Sequence, residues 1–169
     1  MKFYNGFMTI RLIATGGTFD KVYDPIRGAL AFDATHLHRM VERARLTVAP
    51  AIETPMLLDS LEMSDSHRQQ LLARCAAAAE SRIVIVHGTD TMSDSARVLG
   101  QAGLAKTIVL AGAMVPYDIA GSDALFNLGF AIGVVQLLSP GVYVAMNGQV
   151  HLWSNVRKNR DLGRFEPLG

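Results

Sequence analysis

Residues 10–24 read IRLIATGGTFDKVYD, and they begin the pattern on which the rest of the chain is built. An apolar run over residues 10–14 ends in two hydroxyl residues that flank paired glycines, Thr15-Gly16-Gly17-Thr18. A short apolar run bounded by turn residues is typical of a strand buried on both faces. Glycine after such a strand lets a backbone N–H approach a ligand closely. We therefore expect a strand whose carboxyl end carries a ligand loop, with Thr18 at its mouth.

The rest of the chain alternates strands with helices. Further apolar runs rich in β-branched residues lie at residues 82–87, 107–111 and 142–146, and a shorter strand is expected within residues 53–58. Helical patterns cover residues 34–46 after a cap at Asp33, 66–80 after Ser64 or Asp65, 94–104 after Thr91 or Ser93, and 124–138 after Ser122 or Asp123. This alternation predicts an α/β fold, an open and mostly parallel sheet with helices on both faces. Residues 155–169 are expected to form a basic, polar and partly mobile tail.

Composition limits the classes of partner. The 169 residues are 50% hydrophobic, so we expect one domain, residues 1–169, with one well-buried core. The formal net charge of +1 favours a small-molecule ligand over nucleic acid or a membrane surface. Cys75 is the one cysteine, which excludes an internal disulfide, and it is expected to be a buried helix residue. No run reaches the roughly 20 apolar residues of a membrane-spanning helix, and residues 1–12 do not resemble a leader, so a cytoplasmic location is expected.

A second loop of the same kind follows the strand at residues 82–87 and reads HGTDTM, residues 87–92. Gly88 permits close approach, while Thr89 and Asp90 offer a hydroxyl and a carboxylate. A threonine hydroxyl becomes a nucleophile when a neighbour takes its proton, which makes Thr18 in the first loop a candidate for covalent catalysis. The alternative is structural, because TGGT is also typical of an ordinary turn and Asp90 or Thr91 can cap the next helix.

Two more strand ends add polar groups to the same edge. Asp59 and Ser60 follow the short strand, and the loop after residue 111 reads GAMVPY. In an open parallel sheet, ligands bind at the carboxyl ends of the strands, where these loops meet. The four loops therefore predict one ligand site, with two threonines, a serine and at least one carboxylate on its rim.

Five blocks of this sequence resemble the bacterial-type L-asparaginases and glutaminase-asparaginases. ATGGTFDKVYD and VHGTDTM are similar to the family's two signature motifs, and DSLEMSD, LAGAMVPY and GSDALFNL are similar to its further blocks in the same order. The resemblance extends over residues 10–147. It implies the fold of the family's larger N-terminal α/β domain. It also implies hydrolysis of L-asparagine to L-aspartate and ammonia, with no cofactor and no metal.

The roles of individual residues are carried over from this resemblance. Thr18 corresponds to the nucleophile that attacks the amide carbon and forms an acyl-enzyme ester, and Tyr23 to the residue that activates or positions it. Thr89 would assist the reaction, and Asp90 would also hold the substrate's α-ammonium group. The expected substrate-binding residues are Gly17, Asp59, Ser60 at the α-carboxylate, Gly88, and Ala113 near the leaving amide and the oxyanion.

The sequence departs from the family in two respects. The resemblance implies a lysine in the second catalytic group, but the aligned position holds Leu138, so Lys158 is taken as the catalytic replacement, with Lys21 second. Typical members continue into a smaller C-terminal domain that completes a neighbouring subunit's site, whereas this chain is expected to be a single-domain form without one. We expect a homo-oligomer, with a dimer favoured.

The histidines are not expected to bind a metal ion, and more than one substrate is compatible with the sequence. His36 and His38 lie two apart in a helix and cannot share one face, which argues against a metal site there, and His87 is expected to be structural. Besides L-asparagine, the substrate could be glutamine, D-asparagine or another small ω-amide. A further alternative is a non-catalytic module that binds aspartate or asparagine. Loss of the family lysine and of the second domain favours that module, whereas the retained Thr18 and Thr89 motifs oppose it.

Overall fold

The computed structural model describes residues 9–169, so the interpretation of the N-terminus as lacking a leader falls largely outside the described residues, on residues 1–8. In chain order the elements are β1 (Arg11–Ala14), β2 (Lys21–Asp24), β3 (Ala29–Phe32), α1 (Leu37–Ala44), β4 (Ala51–Glu53), α2 (Asp65–Ala77), β5 (Arg82–Val86), α3 (Met92–Gln101), β6 (Thr107–Ala111), α4 (Ala124–Val135), β7 (Gly141–Met146), β8 (Gln149–Leu152), β9 (Arg157–Asn159) and β10 (Arg164–Glu166). Short 3-10 turns lie at Thr18–Asp20 and Ser60–Glu62.

Six of these strands form the central sheet, in the order β4-β1-β5-β6-β7-β8. The first five run parallel, and β8 pairs antiparallel with β7. This confirms the predicted mostly parallel sheet. Because the strands are parallel, the loops that leave β1, β4, β5 and β6 emerge at one edge, which we call the carboxyl edge.

The central strands are buried on both faces because their side chains alternate between two hydrophobic clusters. Val84 and Val86 of β5 point into a cluster that α1 and α4 cover. Ile83 and Ile85 point into the opposite cluster, which α2 and α3 cover. Helices therefore lie on both faces of the sheet, as the sequence pattern predicts.

Three of the four predicted helix starts are confirmed. α2 begins after Ser64, whose hydroxyl accepts the N–H of His67 while the His67 ring accepts the N–H of Ser64. This reciprocal pair satisfies two donors at the helix start that otherwise have no partner. The N-cap residues of α3 and α4 are Thr91 and Asp123, although neither side chain caps its own helix.

The prediction for α1 is wrong at its start. The helix begins after His36 instead of Asp33. Asp20 takes over the capping from elsewhere in the chain, since its Oδ1 accepts the backbone N–H of His36 at 2.9 Å and the Thr35 hydroxyl at 3.0 Å. Asp20 is fully buried, and burial raises the pKa of its carboxyl group. A capping group supplied by the tertiary fold thus overrides the local signal at Asp33.

The short strand is also displaced from its predicted position. β4 occupies Ala51–Glu53 instead of residues 53–58, and the Ala51 N–H donates to the Ile10 carbonyl at 3.0 Å. Pro55 has no N–H to donate, which limits pairing beyond residue 53. Further along, Leu58 pairs with Gly16, just after the end of β1, in one isolated parallel bridge.

Two hairpins lie outside the central sheet, and neither was predicted. β2 pairs antiparallel with β3, directly after the first loop. β9 pairs with β10, so part of the expected polar, partly mobile tail over residues 155–169 forms a hairpin. Phe165 of β10 is buried against the core, and Arg157 forms an ion pair with Glu166 at 2.9 Å across the two strands.

Cys75 lies buried in α2, as expected, and burial raises the pKa of its thiol to about 12. A thiol with this pKa stays protonated at neutral pH and is a poor nucleophile. Among residues 9–169, none of the helices is both long enough and apolar enough to cross a bilayer.

Candidate active site

Backbone contact between glycines brings the first two loops together at the carboxyl edge. Gly17 adopts φ +68°, and a Cβ placed on it would lie 2.3 Å from the Cα of Gly88. Only glycine at this position permits that approach and adopts this dihedral without strain. The loop that ends in Thr18 therefore packs directly on the loop that carries Thr89.

The third loop packs on Gly88 from another side. A Cβ on Gly88 would lie 2.6 Å from the Cβ of Ser60 and 2.7 Å from its hydroxyl oxygen. The Thr91 hydroxyl donates to the Ser60 carbonyl at 2.7 Å and closes the contact. The expected substrate-binding residues Gly17, Ser60 and Gly88 thus form one continuous wall.

Lys158 contacts both members of the expected second catalytic group, Thr89 and Asp90. Its ammonium nitrogen donates to the Thr89 hydroxyl oxygen at 2.7 Å and to Asp90 Oδ1 at 2.9 Å. The Lys158 side chain is only 13% exposed, so water screens this cation weakly. The Arg160 guanidinium lies 4.0 Å from the same Asp90 oxygen, nearer to solvent. A hydroxyl, a carboxylate and an ammonium are therefore in direct contact, on the residues expected from the sequence.

Leu138 lies far from this group, and its alignment with the family lysine is wrong for this fold. It follows α4 and precedes β7, and its carbonyl accepts the hydroxyl of Thr107 at the start of β6. The starts of β6 and β7 lie at the amino edge of the sheet, opposite the loops, and the Leu138 side chain packs on the core. A lysine at position 138 would not reach Thr89.

The turn that carries Thr18 is held by buried neighbours, and Thr18 itself is half-buried. Phe19 and Asp20 are buried, and the Phe19 carbonyl accepts the N–H of Tyr117. Within residues 9–169, no side-chain hydrogen bond involves the Thr18 hydroxyl. Tyr23 lies on the β2–β3 hairpin with 62% of its surface exposed, and the structure does not place its hydroxyl in contact with Thr18.

Asp59 and Lys21 act on the third loop together. One Asp59 oxygen accepts the Leu61 N–H at 3.0 Å, and the other accepts the Lys21 ammonium at 2.5 Å. The hydrogen bond from Lys21 lowers the pKa of the Asp59 carboxyl, so this group is ionised at neutral pH. Both of its oxygens are used within the chain, where they fix the turn that begins at Ser60.

The fourth loop contains Ala113, and its shape is fixed by Asp123, the N-cap residue of α4, and by Asn127 within that helix. The Asp123 carboxylate accepts the backbone N–H groups of Met114 and Val115, each at 3.0 Å to Oδ1. The Asn127 side-chain amide donates to the Gly112 carbonyl at 3.0 Å and to Asp123 at 2.8 Å. Neither Asp123 nor Asn127 was predicted as a site residue, although both lie in the block GSDALFNL.

His87 supports the second loop from within the core. Its Nδ1 pairs with the Gly88 carbonyl at 2.7 Å and its Nε2 with the Ser95 hydroxyl at 2.8 Å. Complete burial lowers the pKa of this imidazole to about 4, so the ring is neutral at physiological pH. His87 thus anchors Gly88 through hydrogen bonds. In the part of the chain that the structure describes, no three His, Cys, Asp or Glu residues are arranged to hold a metal ion.

Comparison with known proteins agrees with this fold. The profile of the family described as "Asparaginase, N-terminal" matches residues 9–164. The fold is similar to that of the thermostable L-asparaginase from Thermococcus kodakarensis, with a TM-score of 0.82, 28% identity, and coverage of 95% of this chain and 51% of that one. It is also similar to a probable cytoplasmic L-asparaginase from Campylobacter jejuni, with a TM-score of 0.79, 27% identity, and coverage of 95% and 53%.

The curated relatives carry a different name. The chain is 30% identical over 149 residues to a subunit of the glutamyl-tRNA(Gln) amidotransferase of Thermofilum pendens, and the match covers 82% of this chain and 33% of that protein. It is 32% identical over 166 residues to the protein of the same name from Pyrococcus furiosus, with coverage of 89% and 37%. The chain therefore spans about a third of the length of these relatives.

Proposed function

The chain belongs to the asparaginase family, and from that premise we propose that it hydrolyses the side-chain amide of L-asparagine to L-aspartate and ammonia. The observation that carries this proposal is the contact of the Lys158 ammonium with Thr89 and Asp90, at 2.7 and 2.9 Å. The loop of Thr18 is packed against the loop of Thr89 through Gly17 and Gly88. The loop of Thr18 thus lies beside the Thr89 hydroxyl, which accepts a hydrogen bond from the Lys158 ammonium, at the carboxyl edge.

The first half of the proposed reaction forms an ester on Thr18. Its hydroxyl oxygen attacks the amide carbon, the hydroxyl proton passes to the leaving nitrogen, and ammonia departs from the tetrahedral adduct. Tyr23 activates or positions Thr18, which requires the exposed β2–β3 hairpin to bring Tyr23 over the substrate. The backbone at Ala113, held by Asp123 and Asn127 around it, stabilises the oxyanion through an N–H that is already oriented.

The second half of the proposed reaction hydrolyses that ester. A water molecule attacks the acyl carbon, Thr18 leaves as a hydroxyl, and the aspartate product is released. The proton of the attacking water passes to the Thr18 oxygen through Thr89, whose oxygen accepts that proton while its own hydroxyl proton moves on to the leaving oxygen. The Lys158 ammonium donates to the Thr89 oxygen at 2.7 Å and stabilises the negative charge that develops on it during this relay.

Substrate recognition is assigned to the wall between the loops. Asp90 keeps one oxygen free of Lys158 and can accept the α-ammonium group, in a charge-assisted hydrogen bond. The Ser60 hydroxyl, for which the described residues offer no hydrogen-bond partner, is placed to donate to the α-carboxylate. Asp59 and Lys21 fix the Ser60 turn instead of contacting the substrate.

The names of the curated relatives favour a second candidate. An amidotransferase moves an amide nitrogen, so the same site could act on glutamine and supply ammonia to a partner protein. Asparagine and glutamine differ by one methylene, which a small pocket discriminates by about 10- to 200-fold. The third candidate is a module that binds aspartate without turnover. It would need Ser60 and Asp90 but not the Lys158–Thr89 contact.

We further propose that residues 9–169 contain what the reaction needs, that the protein is a homodimer, and that it acts in the cytoplasm. A solved relative titled as a cytoplasmic L-asparaginase supports the last point. Sedimentation of the purified chain measures the oligomeric state directly.

The test is ammonia release from L-asparagine, L-glutamine and D-asparagine by the wild type and by Thr18→Ala. We expect release from L-asparagine that the variant lacks, with aspartate binding, measured by calorimetry, retained. Thr107→Ala is the matched control, because that hydroxyl lies at the amino edge of the sheet. Release from glutamine alone would favour the second candidate. Aspartate binding without release from any amide would favour the third.

A further inference from the structure

Besides the packing of Phe165 on the core, one side-chain hydrogen bond links the hairpin that carries Lys158 to Asn147, directly after β7. We propose that Asn147 is a positioning residue, which sets the place of the Lys158 ammonium relative to Thr89 by holding β10. The inference rests on the proposed hydrolysis, because it assigns a role in the reaction to a residue outside the catalytic group. Nothing in the family resemblance assigns a role to this residue.

The first link is the hydrogen bond between Asn147 and β10. The Asn147 side-chain oxygen accepts the backbone N–H of Phe165 at 3.2 Å. Phe165 is the register partner of Lys158 in the β9–β10 pair. Each of these strands has only three residues, and an isolated two-stranded pair is marginally stable by itself. An anchor on the residue opposite Lys158 therefore restricts where the ammonium can lie.

The second link runs from Asn147 to the core. Its backbone N–H donates to Asn127 Oδ1 at 3.3 Å, and Asn127 is buried in α4, with an exposure of 1%. The other end of the Asn127 amide donates to the Gly112 carbonyl and to Asp123, which shape the loop of Ala113. The buried Asn127 amide is therefore bonded both to the Ala113 loop and to Asn147, which in turn holds the hairpin of Lys158.

The backbone at Asn147 explains why this residue type serves as the anchor. Asn147 adopts φ +55°, directly after β7 and before Gly148 in the turn to β8. Asparagine, aspartate and glycine adopt this left-handed conformation with the least strain. Of these three, glycine lacks the side-chain oxygen that accepts the Phe165 N–H, whereas aspartate keeps it. Asn147→Gly and Asn147→Asp therefore separate the hydrogen bond from the backbone conformation.

The effect should fall on the rate of reaction and not on substrate binding. Lys158 contacts Thr89 and Asp90, and misplacement of a catalytic group by about 1 Å costs on the order of 100-fold in rate. Because the β9–β10 hydrogen bonds remain when the Asn147 anchor is lost, we expect the hairpin to shift by less than about 1 Å. We expect Asn147→Gly to lower kcat by about 10-fold, with KM for L-asparagine within about twofold. Asn147→Asp should keep kcat within about threefold of the wild type.

The experiment measures kcat and KM per folded molecule for both variants, together with hydrogen exchange of the Phe165 amide. The expected result is faster exchange and lower kcat in Asn147→Gly, with both rescued in Asn147→Asp. A purely structural role would lower the melting temperature while leaving kcat per folded molecule unchanged, and that outcome overturns the inference. Unchanged exchange in Asn147→Gly overturns the anchor itself.

Failure of the proposed function gives a different pattern. If the wild type releases no ammonia from any amide, the hydrolysis is contradicted, whatever the variants do. The anchor is then still tested by Phe165 exchange and by the NMR signal of the Lys158 ammonium, which we expect to change in Asn147→Gly and to be retained in Asn147→Asp. An active wild type with equal kcat in Asn147→Gly overturns only the positioning role.

Discussion

The ammonium nitrogen of Lys158 lies 2.7 Å from the hydroxyl oxygen of Thr89, although the two residues are 69 positions apart in the chain. Thr89 follows a central strand of the parallel sheet, whereas Lys158 lies in a three-residue strand beside it. Because the contact joins elements of two different sheets, it depends on the placement of both. Its chemical value can be measured by changing either side.

Replacement of Lys158 by methionine keeps the approximate length of the side chain and removes the charge. We expect Lys158→Met to lower kcat by about 100-fold or more, because proton transfer assisted by a positioned group contributes about 10²- to 10⁴-fold. Stopped assays of ammonia release measure the loss. Lys106→Met is the matched control, since that lysine bonds backbone carbonyls away from the site, and it should keep kcat per folded molecule. Full activity in Lys158→Met would show that the ammonium takes no part in the reaction.

The contact of Gly88 with Ser60 leaves no room for a methyl group. A Cβ at Gly88 would lie 2.6 Å from the Ser60 Cβ, so one of the loops must move. We expect Gly88→Ala to destabilise the fold by about 1–3 kcal/mol and to raise KM, because overpacking displaces Ser60, the residue proposed to bind the substrate's α-carboxylate. Thermal unfolding and steady-state kinetics measure the two effects.

Gly129→Ala is the matched control for that substitution. Gly129 lies within α4, and a Cβ there would meet no atom within 4 Å. Alanine in a helix interior is favoured over glycine by about 0.8–1 kcal/mol, so this variant should melt higher and keep its activity. Equal behaviour of the two alanine variants would contradict the close packing at Gly88.

Acid should destabilise the protein through His87. Burial lowers the pKa of this imidazole to about 4 from its ordinary 6.5, so between these pH values the unfolded chain binds a proton that the folded chain does not. Stability from this group is present above pH 6.5 and falls as the pH drops toward 4, by at most about 3 kcal/mol. Urea unfolding at several pH values measures the slope. His87→Gln, which cannot titrate, should show a smaller slope, and an identical slope would refute the assignment.

The ion pair of Asp59 and Lys21 should contribute little to the free energy of unfolding, and its loss should be seen mainly as an increased KM. Their side chains are 29% and 19% exposed, and partly exposed ion pairs contribute at most about 1 kcal/mol. Asp59→Asn keeps an oxygen for the Leu61 N–H and loses the charge, so we expect a small fall in melting temperature and a KM increased by less than about tenfold. Asp59→Ala also loses the cap, which costs about a further 1 kcal/mol. An Asp59→Ala variant as stable as Asp59→Asn would contradict the capping role.

Local signals predicted the parts of the fold that are local in origin. The buried strands follow from apolar runs, and the start of α2 follows from Ser64 with a partner three residues later. The start of α1 was missed because Asp20, from another part of the chain, supplies the cap. The β9–β10 hairpin was missed because its residues are mostly polar and one buried side chain, Phe165, ties it to the core.

The sequence by itself determined the parallel sheet, the glycine loops at its carboxyl edge and the residue types of the proposed chemistry, since each is written in a short continuous stretch. The tertiary structure decided which of the two candidate lysines contacts Thr89, since Lys158 lies against its hydroxyl and Lys21 pairs with Asp59. Alignment by order along the chain pointed to Leu138, which lies at the amino edge. Lys158 reaches Thr89 at the carboxyl edge because its hairpin is held there by Phe165, which packs on the core and donates its backbone N–H to Asn147. Such contacts between distant segments leave no local pattern in the sequence.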